Sequence, residues 1–403
     1  MQQTTRDLRR HNRAALLSHL YRHGPGSRLE LMQASGLSSA SVSNVVSDLI
    51  SDGLVAEAGS ENSDGGRPRT LLQVRPDVGH VVGVDVGETH LQAGLFDFTL
   101  ATIASVTFPI ADTRLVPERV AELAATAIEA VVAKAGPHGP VLGIGVGVPG
   151  AVKPDGLVHA PTLGWSGVPF PSMLATGIAE SLGGAPLYVD NCARTLGQAE
   201  MWRGAGRGAE RAVIALLGVG IGAAFATDSR SGMTSTTSEW GHTIIQAGGA
   251  ACRCGSRGCL EAYVGAEAIL ADYRSLAGAQ PFVAVGTEAM LAELVGRAAA
   301  PGSAGPGAAA TALTTASDYL GIGISNLINL LAPDRVVLSG WAGETLGPAI
   351  LPQVRAAVDR YALSYMSGQT VIELGQLGQE AVALGAATLP IVELLAAGGR
   401  LPA

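Results

Sequence analysis

The sequence predicts an α/β protein with a small helical head and a larger α/β body. Three observations predict this organisation. Short amphipathic segments followed by two alternating segments occupy about the first 77 residues. Two glycine-broken strand-turn-strand patterns stand far apart in the remaining chain and predict sheets in different parts of the body. A cluster of cysteines lies between them and the C-terminal third, and it predicts a metal site.

Composition bounds the class of protein and its compartment. At 403 residues the chain is long for one hydrophobic core, so two or three domains are expected. The start of the chain is polar and no apolar run reaches the length that spans a bilayer, which predicts a cytoplasmic protein with no membrane contact. The net charge is −8, although the first 77 residues are nearly neutral, and this unevenness favours a nucleic-acid-binding head only weakly.

The head is predicted from its helix boundaries. Apolar residues at helical spacing over 12–21 predict a first helix, which Gly24-Pro25-Gly26 ends. Ser27-Arg28-Leu29-Glu30 has the form of a capping box and opens a second helix. Gly36 supplies the next turn, and Ser38 can cap a third helix. Two short helices joined by a glycine turn predict a helix-turn-helix unit.

The third helix and the segments after it carry the side chains that could contact DNA. One face of the helix is apolar, and small polar residues stand on the others, at Ser39, Ser41, Ser43 and Asn44. Residues 54–56 and 70–74 alternate like a hairpin whose flexible tip is basic, with Arg67 and Arg69. We expect the helix to face base edges and the two arginines to enter the minor groove. The alternative is a bundle that serves only packing, but the basic tip favours a winged helix-turn-helix bound to double-stranded DNA.

The stretch 239–261 holds three of the four cysteines. Three thiolates and one imidazole fill a tetrahedral zinc site and leave no open position for a catalytic water. The predicted ligands are His242, Cys252, Cys254 and Cys259. Gly255 and Gly258 let the backbone turn tightly enough for the sulfurs to converge. The alternative is a disulfide with a spare thiol, or unpaired buried cysteines, and the clustering favours the metal.

The pattern ExGH, nine residues, then CxCGxxGCxE resembles the signature of the ROK family of repressors and sugar kinases. The resemblance implies a two-lobed, actin-like sugar-kinase fold whose structural zinc holds a sugar-contacting loop rigid. It places sugar contacts at Glu239, His242 and Glu261. Regulators of the family carry an N-terminal winged module that the kinases lack. The domains expected are therefore 1–77; 78–192, completed by the C-terminal helix at 379–403; and 193–378.

Further segments of the body resemble the family's nucleotide and sugar motifs. Residues 85–89 resemble the first phosphate loop, DxGxT, but Glu88 stands in the usual place of glycine and would set a carboxylate against phosphate. Residues 215–222 resemble the second phosphate loop. The third nucleotide element holds Trp341, which is bulky for an adenosine pocket. The sugar loop ends in a PNLxGW-like run in which Thr162 takes the place of asparagine and can still contact a sugar.

The segment after the strand at 187–191 distinguishes a kinase from a regulator. The resemblance keeps a sugar-contacting amide at Asn191 but puts Cys192 where the kinases have the aspartate that takes the proton of the sugar hydroxyl. A thiol is a poor substitute for that carboxylate, so we predict that phosphoryl transfer is lost and that Cys192 fills space rather than reacting. Arg194 replaces a further asparagine, and Glu200 fits an ordinary helix surface.

Together these features predict a sugar-responsive DNA-binding regulator, a repressor of carbohydrate or secondary metabolism, with structural zinc and no catalytic residue. Its expected partners are an operator palindrome, a sugar or sugar derivative, and further copies of itself, as a homodimer or a dimer of dimers. Two alternatives stay open. One is an ATP-dependent, glucokinase-like sugar kinase with an accessory DNA-binding domain, and the other is a regulator that has lost its ligand and responds to a protein partner.

Overall fold

A computed structural model describes residues 4–61, 68–110, 116–136, 139–178, 182, 184–229, 232–300 and 307–400. The head consists of α1 (Thr5–His23), β1 (Gly26–Ser27), α2 (Arg28–Ser35), α3 (Ser39–Ser51), β2 (Val55–Glu61) and β3 (Arg69–Val74). The predicted capping box opens α2, and Gly36 ends it in the left-handed conformation at φ 69°. The strands pair in the order β1-β3-β2, so the predicted hairpin is present. The first helix begins earlier than predicted because Thr4 and Asp7 form their own capping box.

The first lobe follows the head. Its elements are β4 (His80–Val86), β5 (His90–Asp97), β6 (Thr102–Pro109), α4 (Pro117–Ala135), β7 (Val141–Val148), β8 (Ala151–Val152), β9 (Val158–Ala160), β10 (Trp165–Val168), α5 (Phe170–Gly177) and β11 (Leu187–Asn191). The main sheet has the order β11-β7-β4-β5-β6, and β8 to β10 form a small separate sheet. The central strands β4 and β7 are buried along nearly their whole length, which explains why they consist mostly of valine and glycine.

The second lobe occupies most of the remaining chain. Its elements are α6 (Cys192–Arg203), β12 (Arg211–Leu217), β13 (Ile221–Ser229), β14 (Gly232–Ser238), α7 (Glu261–Val264), α8 (Ala266–Ser275), α9 (Thr287–Ala299), α10 (Ala308–Leu331), β15 (Arg335–Ser339), α11 (Trp341–Tyr361), α12 (Ser364–Ser367) and β16 (Val371–Leu374). Its sheet has the order β14-β13-β12-β15-β16. In each lobe three antiparallel strands are extended by two parallel ones in the same relative order. The two lobes therefore repeat one topology, as the actin-like expectation requires.

The last helix, α13 (Ala381–Ala396), packs on β4 and β7 of the first lobe and on α6. A Cβ atom at Gly83 or Gly145 would lie within 2 Å of a carbonyl oxygen of this helix, so glycine at both strand positions permits the close contact. The segment Gly378–Ala396 is long and apolar enough to cross a membrane by length and composition, and 61% of it is buried in the protein. The expectation that no apolar run has that length is therefore wrong, because a core helix meets the same criterion.

The head shares a continuous hydrophobic core with the body. Tyr21 of α1 lies edge-on to Phe98 and Trp202, with ring centroids 5.7 and 5.3 Å away. Arg13 donates through Nε to the carbonyl of Gly398, just beyond α13, at 2.7 Å. The cluster of buried side chains that fills the head extends through these contacts into α6 and α13. The head is thus packed against the body, and its position depends on those two helices.

Candidate functional site

A cavity of about 550 Å³ lies between the two lobes. The β4–β5 turn and the β11–α6 junction line it from one side, and the β12–β13 turn and the loop after β14 line it from the other. All five residues predicted to contact a sugar border this one cavity: Thr162, Asn191, Glu239, His242 and Glu261. The sequence analysis therefore selected side chains that the fold brings together from distant parts of the chain.

Asn191 is already engaged inside the protein. Its Oδ1 accepts hydrogen bonds from the backbone N–H groups of Ala193 at 2.9 Å and Arg194 at 3.2 Å, which caps α6. Its Nδ2 donates to the carbonyl of Gly150 at 2.6 Å. Nδ2 carries a second hydrogen that can donate to a ligand. The amide is therefore fixed in orientation before any ligand arrives.

The predicted metal ligands converge. One donor atom from each of His242, Cys252, Cys254 and Cys259 lies within 4.8 Å of every other. The Nδ1 atom of His242 is 3.6 Å from the sulfur of Cys252, and the sulfurs of Cys254 and Cys259 are 3.8 Å apart. Two sulfurs bound to one zinc at about 2.3 Å would take up about this spacing. The donor set fits a tetrahedral structural metal.

The backbone between the cysteines shows why glycine is needed there. Gly255 has φ 92° and Gly258 has φ 80°, both in the left-handed region that a side chain rarely adopts. At Gly258 a Cβ atom would also lie 1.8 Å from the carbonyl oxygen of Gln246. These two turns bring Cys259 back beside Cys254, as the spacing predicted.

Arg253, between two of the cysteines, crosses the cleft to the first lobe. Its Nη1 and Nη2 atoms lie 2.5 and 2.9 Å from the two carboxylate oxygens of Glu88, and its Nε donates to Glu261 at 2.9 Å. The other oxygen of Glu261 accepts from the backbone N–H of Ile221 at 2.9 Å. The sequence analysis took Glu88 as a departure that disfavours a bound phosphate, and it did not find this partner. The only signal was the coincidence of a carboxylate in a glycine position with an arginine in the metal loop.

A second pair of side chains from the same β4–β5 turn also contacts the second lobe. Thr89 donates to Oε1 of Glu288 at 2.5 Å, and Nδ1 of His90 lies 2.8 Å from the same oxygen. The hydrogen bond with Glu288 raises the pKa of His90, and in return lowers the pKa of Glu288. The turn that would hold phosphate in a kinase thus joins the two lobes.

The part of the cavity that corresponds to the nucleotide site carries the departures found in the sequence. Cys192 and Trp341 both line it. Burial raises the pKa of the Cys192 thiol, which favours the neutral form and disfavours a reactive thiolate. Asp85 lies at the end of β4, and burial raises the pKa of its carboxyl to about 6.

Glu200 does not lie on a helix surface, and that prediction is wrong. Its side chain is fully buried, with one oxygen accepting from Ala205 N–H and the other from the Ser339 hydroxyl, each at 2.9 Å. These bonds tie the end of α6 to β15. A buried carboxylate needs such partners, and the sequence around Glu200 gave no indication that Ser339 would be near.

The predicted DNA-contacting residues lie on one helix and one strand of the head. On α3, Ser39, Ser43 and Asn44 are exposed, whereas Ser41 is half-buried and hydrogen-bonded to Ser38. Arg69 is exposed at the start of β3, and Arg67 lies outside the described residues. An exposed polar helix face beside a strand that leads to the basic tip is the arrangement that a winged head presents to DNA.

The comparisons with known proteins agree with this geometry. Residues 81–392 match the ROK family. A xylose repressor from Caldicellulosiruptor bescii is 29% identical to this chain over 92% of each protein. The crystal structure of a ROK family transcriptional regulator, a homologue of E. coli Mlc, has the same fold over 97% of this chain and 98% of its own, with TM-score 0.73 and 20% identity.

A ROK hexokinase from Thermus thermophilus is also similar. Its crystal structure is 28% identical, covers 78% of this chain and 99% of that one, and has TM-score 0.56. Both kinds of protein therefore share the two-lobed body described above. The family match spans both lobes and the loop that carries the cysteines, so the chain belongs to the ROK family.

Proposed function

We propose that this protein is a sugar-responsive DNA-binding transcriptional regulator, a repressor whose body binds a sugar without phosphorylating it. One observation carries the proposal. A cavity lined by five side chains suited to sugar hydroxyls lies at the start of two helices whose other ends contact a helix-turn-helix head. The similarity to a xylose repressor over nearly the whole chain, head included, supports it.

The sugar would be held by the predicted residues, each in a distinct way. Glu239 and Glu261 accept hydrogen bonds from sugar hydroxyls, and Asn191 donates through its remaining N–H. The hydroxyl of Thr162, in the first lobe, can both donate to and accept from the sugar. His242 directs Nδ1 to the metal and Nε2 to the ligand. Zinc bound by the four ligands would supply a rigid cross-link with no open coordination position. The loop would then present Glu261 and His242 without loss of side-chain freedom on binding.

Phosphoryl transfer is not part of the proposed function. The kinases' base position holds Cys192, and burial keeps that thiol protonated. Glu88 and its partner Arg253 stand where nucleotide phosphates would approach the first loop. The retained glycine turns and the 28% identity to a hexokinase favour the second candidate, a working sugar kinase with a DNA-binding head. Sugar-dependent hydrolysis of ATP by the purified protein would favour the working sugar kinase over the regulator without catalysis.

The signal would pass from the cavity to the head through α6 and α13. Asn191 caps α6 in the cavity, and Trp202 near its other end contacts Tyr21 of the head. The start of α13 lines the same cavity, and the residues after its end contact α1. The two helices pack against each other, and α6 is about 18 Å long. Closure of the lobes on a sugar would shift these ends and change the spacing of two heads in a dimer.

The test is a selection of genomic DNA fragments on the purified, metal-loaded protein, repeated with a panel of sugars. We expect a palindrome whose affinity changes at least tenfold with one sugar. The variant Asn44→Ala on the exposed face of α3 should recover no palindrome, whereas Glu122→Ala on the exposed face of α4 should recover the same one. If the palindrome is bound equally with and without every sugar, the proposal of sugar sensing is wrong. If no sequence is enriched, the proposal of DNA binding is wrong.

A further inference from the structure

The guanidinium of Arg253 lies between the two glycine turns of the cleft. It binds both oxygens of Glu88 on the β4–β5 turn and one oxygen of Glu261. It also lies against the β12–β13 turn, where a Cβ atom at residue 220 would be 2.5 Å from its Nη2 atom. Glycine at 220 is what leaves room for this cation. The gap between the turns, where the family resemblance places phosphate, is thus filled by an ion pair that belongs to the protein.

The charges around this gap oppose an anionic ligand. Among the described residues that line the cavity, four carboxylates face two lysine or arginine side chains. The acidic residues are Asp85, Glu88, Glu239 and Glu261, and the basic ones are Lys153 and Arg253. Arg253 is already shared by two of the carboxylates, so it offers little free positive charge. A phosphate dianion entering here would meet carboxylates at short range in a partly desolvated site.

The same contacts suit a ligand without charge. Glu261 is held on both oxygens, by Arg253 and by the backbone N–H of Ile221, and each oxygen keeps a lone pair. A sugar hydroxyl can donate to such a carboxylate without displacing the arginine. Arg253 already balances the charge of Glu261, so a ligand needs only hydroxyl groups to bind there.

We propose that the effector is an uncharged monosaccharide, and that the Glu88–Arg253 pair excludes phosphorylated sugars and nucleotides from the cleft. This inference rests on the proposed sugar-sensing function and names the chemical class of its ligand. Arg253 and Glu88 are, on this view, specificity-determining residues. Arg253 lies in the metal loop and Glu88 in the opposite lobe. The exclusion of phosphorylated ligands therefore requires the two lobes to be close enough for this pair to form.

Calorimetric binding to the full-length, metal-loaded protein tests the proposal. The probes are glucose, xylose and N-acetylglucosamine, together with glucose 6-phosphate and N-acetylglucosamine 6-phosphate. We expect at least one uncharged sugar to bind, and its phosphate ester to bind at least tenfold more weakly. A phosphate ester that binds more tightly than its parent sugar would overturn the inference while leaving sugar sensing intact. Absence of binding by every probe would count against the inference and the sugar-sensing function together.

The variant Glu88→Gly tests the ion pair itself. It restores the glycine of the family's phosphate loop and frees the guanidinium of Arg253 to hold an anion. We expect the ratio of affinities for phosphate ester and parent sugar to rise at least tenfold. The matched control Glu288→Gln weakens another contact of the same turn with the second lobe and should leave that ratio unchanged. Circular dichroism establishes that both variants fold, and an unchanged ratio in folded Glu88→Gly would refute the role of the pair.

Discussion

The two halves of the cleft differ in how they match the motifs of the ROK family. The half that corresponds to the sugar site keeps Asn191, Glu239, His242 and Glu261 around one cavity, beside a group of metal donors. The half that corresponds to the nucleotide site keeps its glycine turns, but charged or bulky side chains fill the space between them. On the proposed function, one backbone supports a site for sugar recognition next to a site that no longer carries out phosphoryl transfer.

The difference teaches which parts of the fold each task needs. Recognition of hydroxyl groups needs fixed donors and acceptors, and here a capped helix, a double-turn loop and a predicted metal provide the fixation. Phosphoryl transfer needs in addition an open anion site and a base. Arg253 shows that the two halves are connected, because it binds Glu261 on one side and Glu88 on the other. Each half can be tested separately by substitution.

The largest effect is expected from the metal loop. Cys254→Ser should reduce the bound metal from one equivalent to none, and lower the melting temperature by roughly 10 °C, because the loop loses the cross-link that fixes it. Elemental analysis and calorimetry measure the two quantities. Cys192→Ser is the matched control, since Cys192 lies outside the metal cluster and should keep the metal. Equal metal content in the two variants would show that Cys254 is not a metal ligand, and the predicted metal site would be wrong.

A smaller effect is expected from the buried Asp85 in the nucleotide half. Its folded-state pKa of about 6 lies above the ordinary 3.8, so the native state binds this proton more tightly than the unfolded state. The stability that the group contributes is present at low pH and is lost as the pH rises through about 4 to 6. Asp85→Asn should therefore stabilise the protein by about 3 kcal/mol at pH 8 and very little at pH 4.

Denaturant unfolding of the wild type and Asp85→Asn at the two pH values measures this difference. If Asp85→Asn changes the free energy of unfolding by the same amount at pH 4 and pH 8, the Asp85 carboxyl is not held in a desolvated state. It would then mean that water reaches the nucleotide half, and the contrast with the sugar half would be weaker.

The smallest effect is expected from restoring the base alone. Cys192→Asp should leave ATP-dependent sugar phosphorylation at the background of the wild-type protein, because Glu88, Arg253 and Trp341 still occupy the nucleotide half. A coupled assay for ADP release measures it. Turnover near 1 s⁻¹, within the usual range for enzymes, would mean that Cys192 alone had disabled the site. The nucleotide half would then be intact apart from one residue, and its contrast with the sugar half would be wrong.

The motifs that predicted the site share one property: their residues lie close in the chain and their geometry is local. The capping box at Ser27, the turn glycine Gly36 and the positive φ angles of Gly255 and Gly258 all follow from local backbone rules. Such features could be predicted from the sequence. The repeated topology of the lobes followed from the family resemblance rather than from these rules.

The features that the sequence analysis missed are pairings between distant residues. Arg253 meets Glu88 across 165 positions, Glu288 meets His90 across 198, and Glu200 meets Ser339 across 139. A charged residue in a motif has many possible partners in an unfolded chain, and only the packed lobes select one. For Glu200 the prediction of an exposed position failed for the same reason, since a buried carboxylate is permitted only by partners that the sequence does not show.

The edge-on contacts of Tyr21 with Phe98 and Trp202 have a consequence for how such proteins can be recombined. A head cut from this body would uncover aromatic surface on both pieces and would be prone to aggregate. A chimera that joined this body to the head of a relative would need an aromatic residue in the new head that packs against Phe98 and Trp202. Exchange of DNA specificity within the family is therefore constrained by the face of the head that packs on the body as much as by the helix predicted to contact the bases.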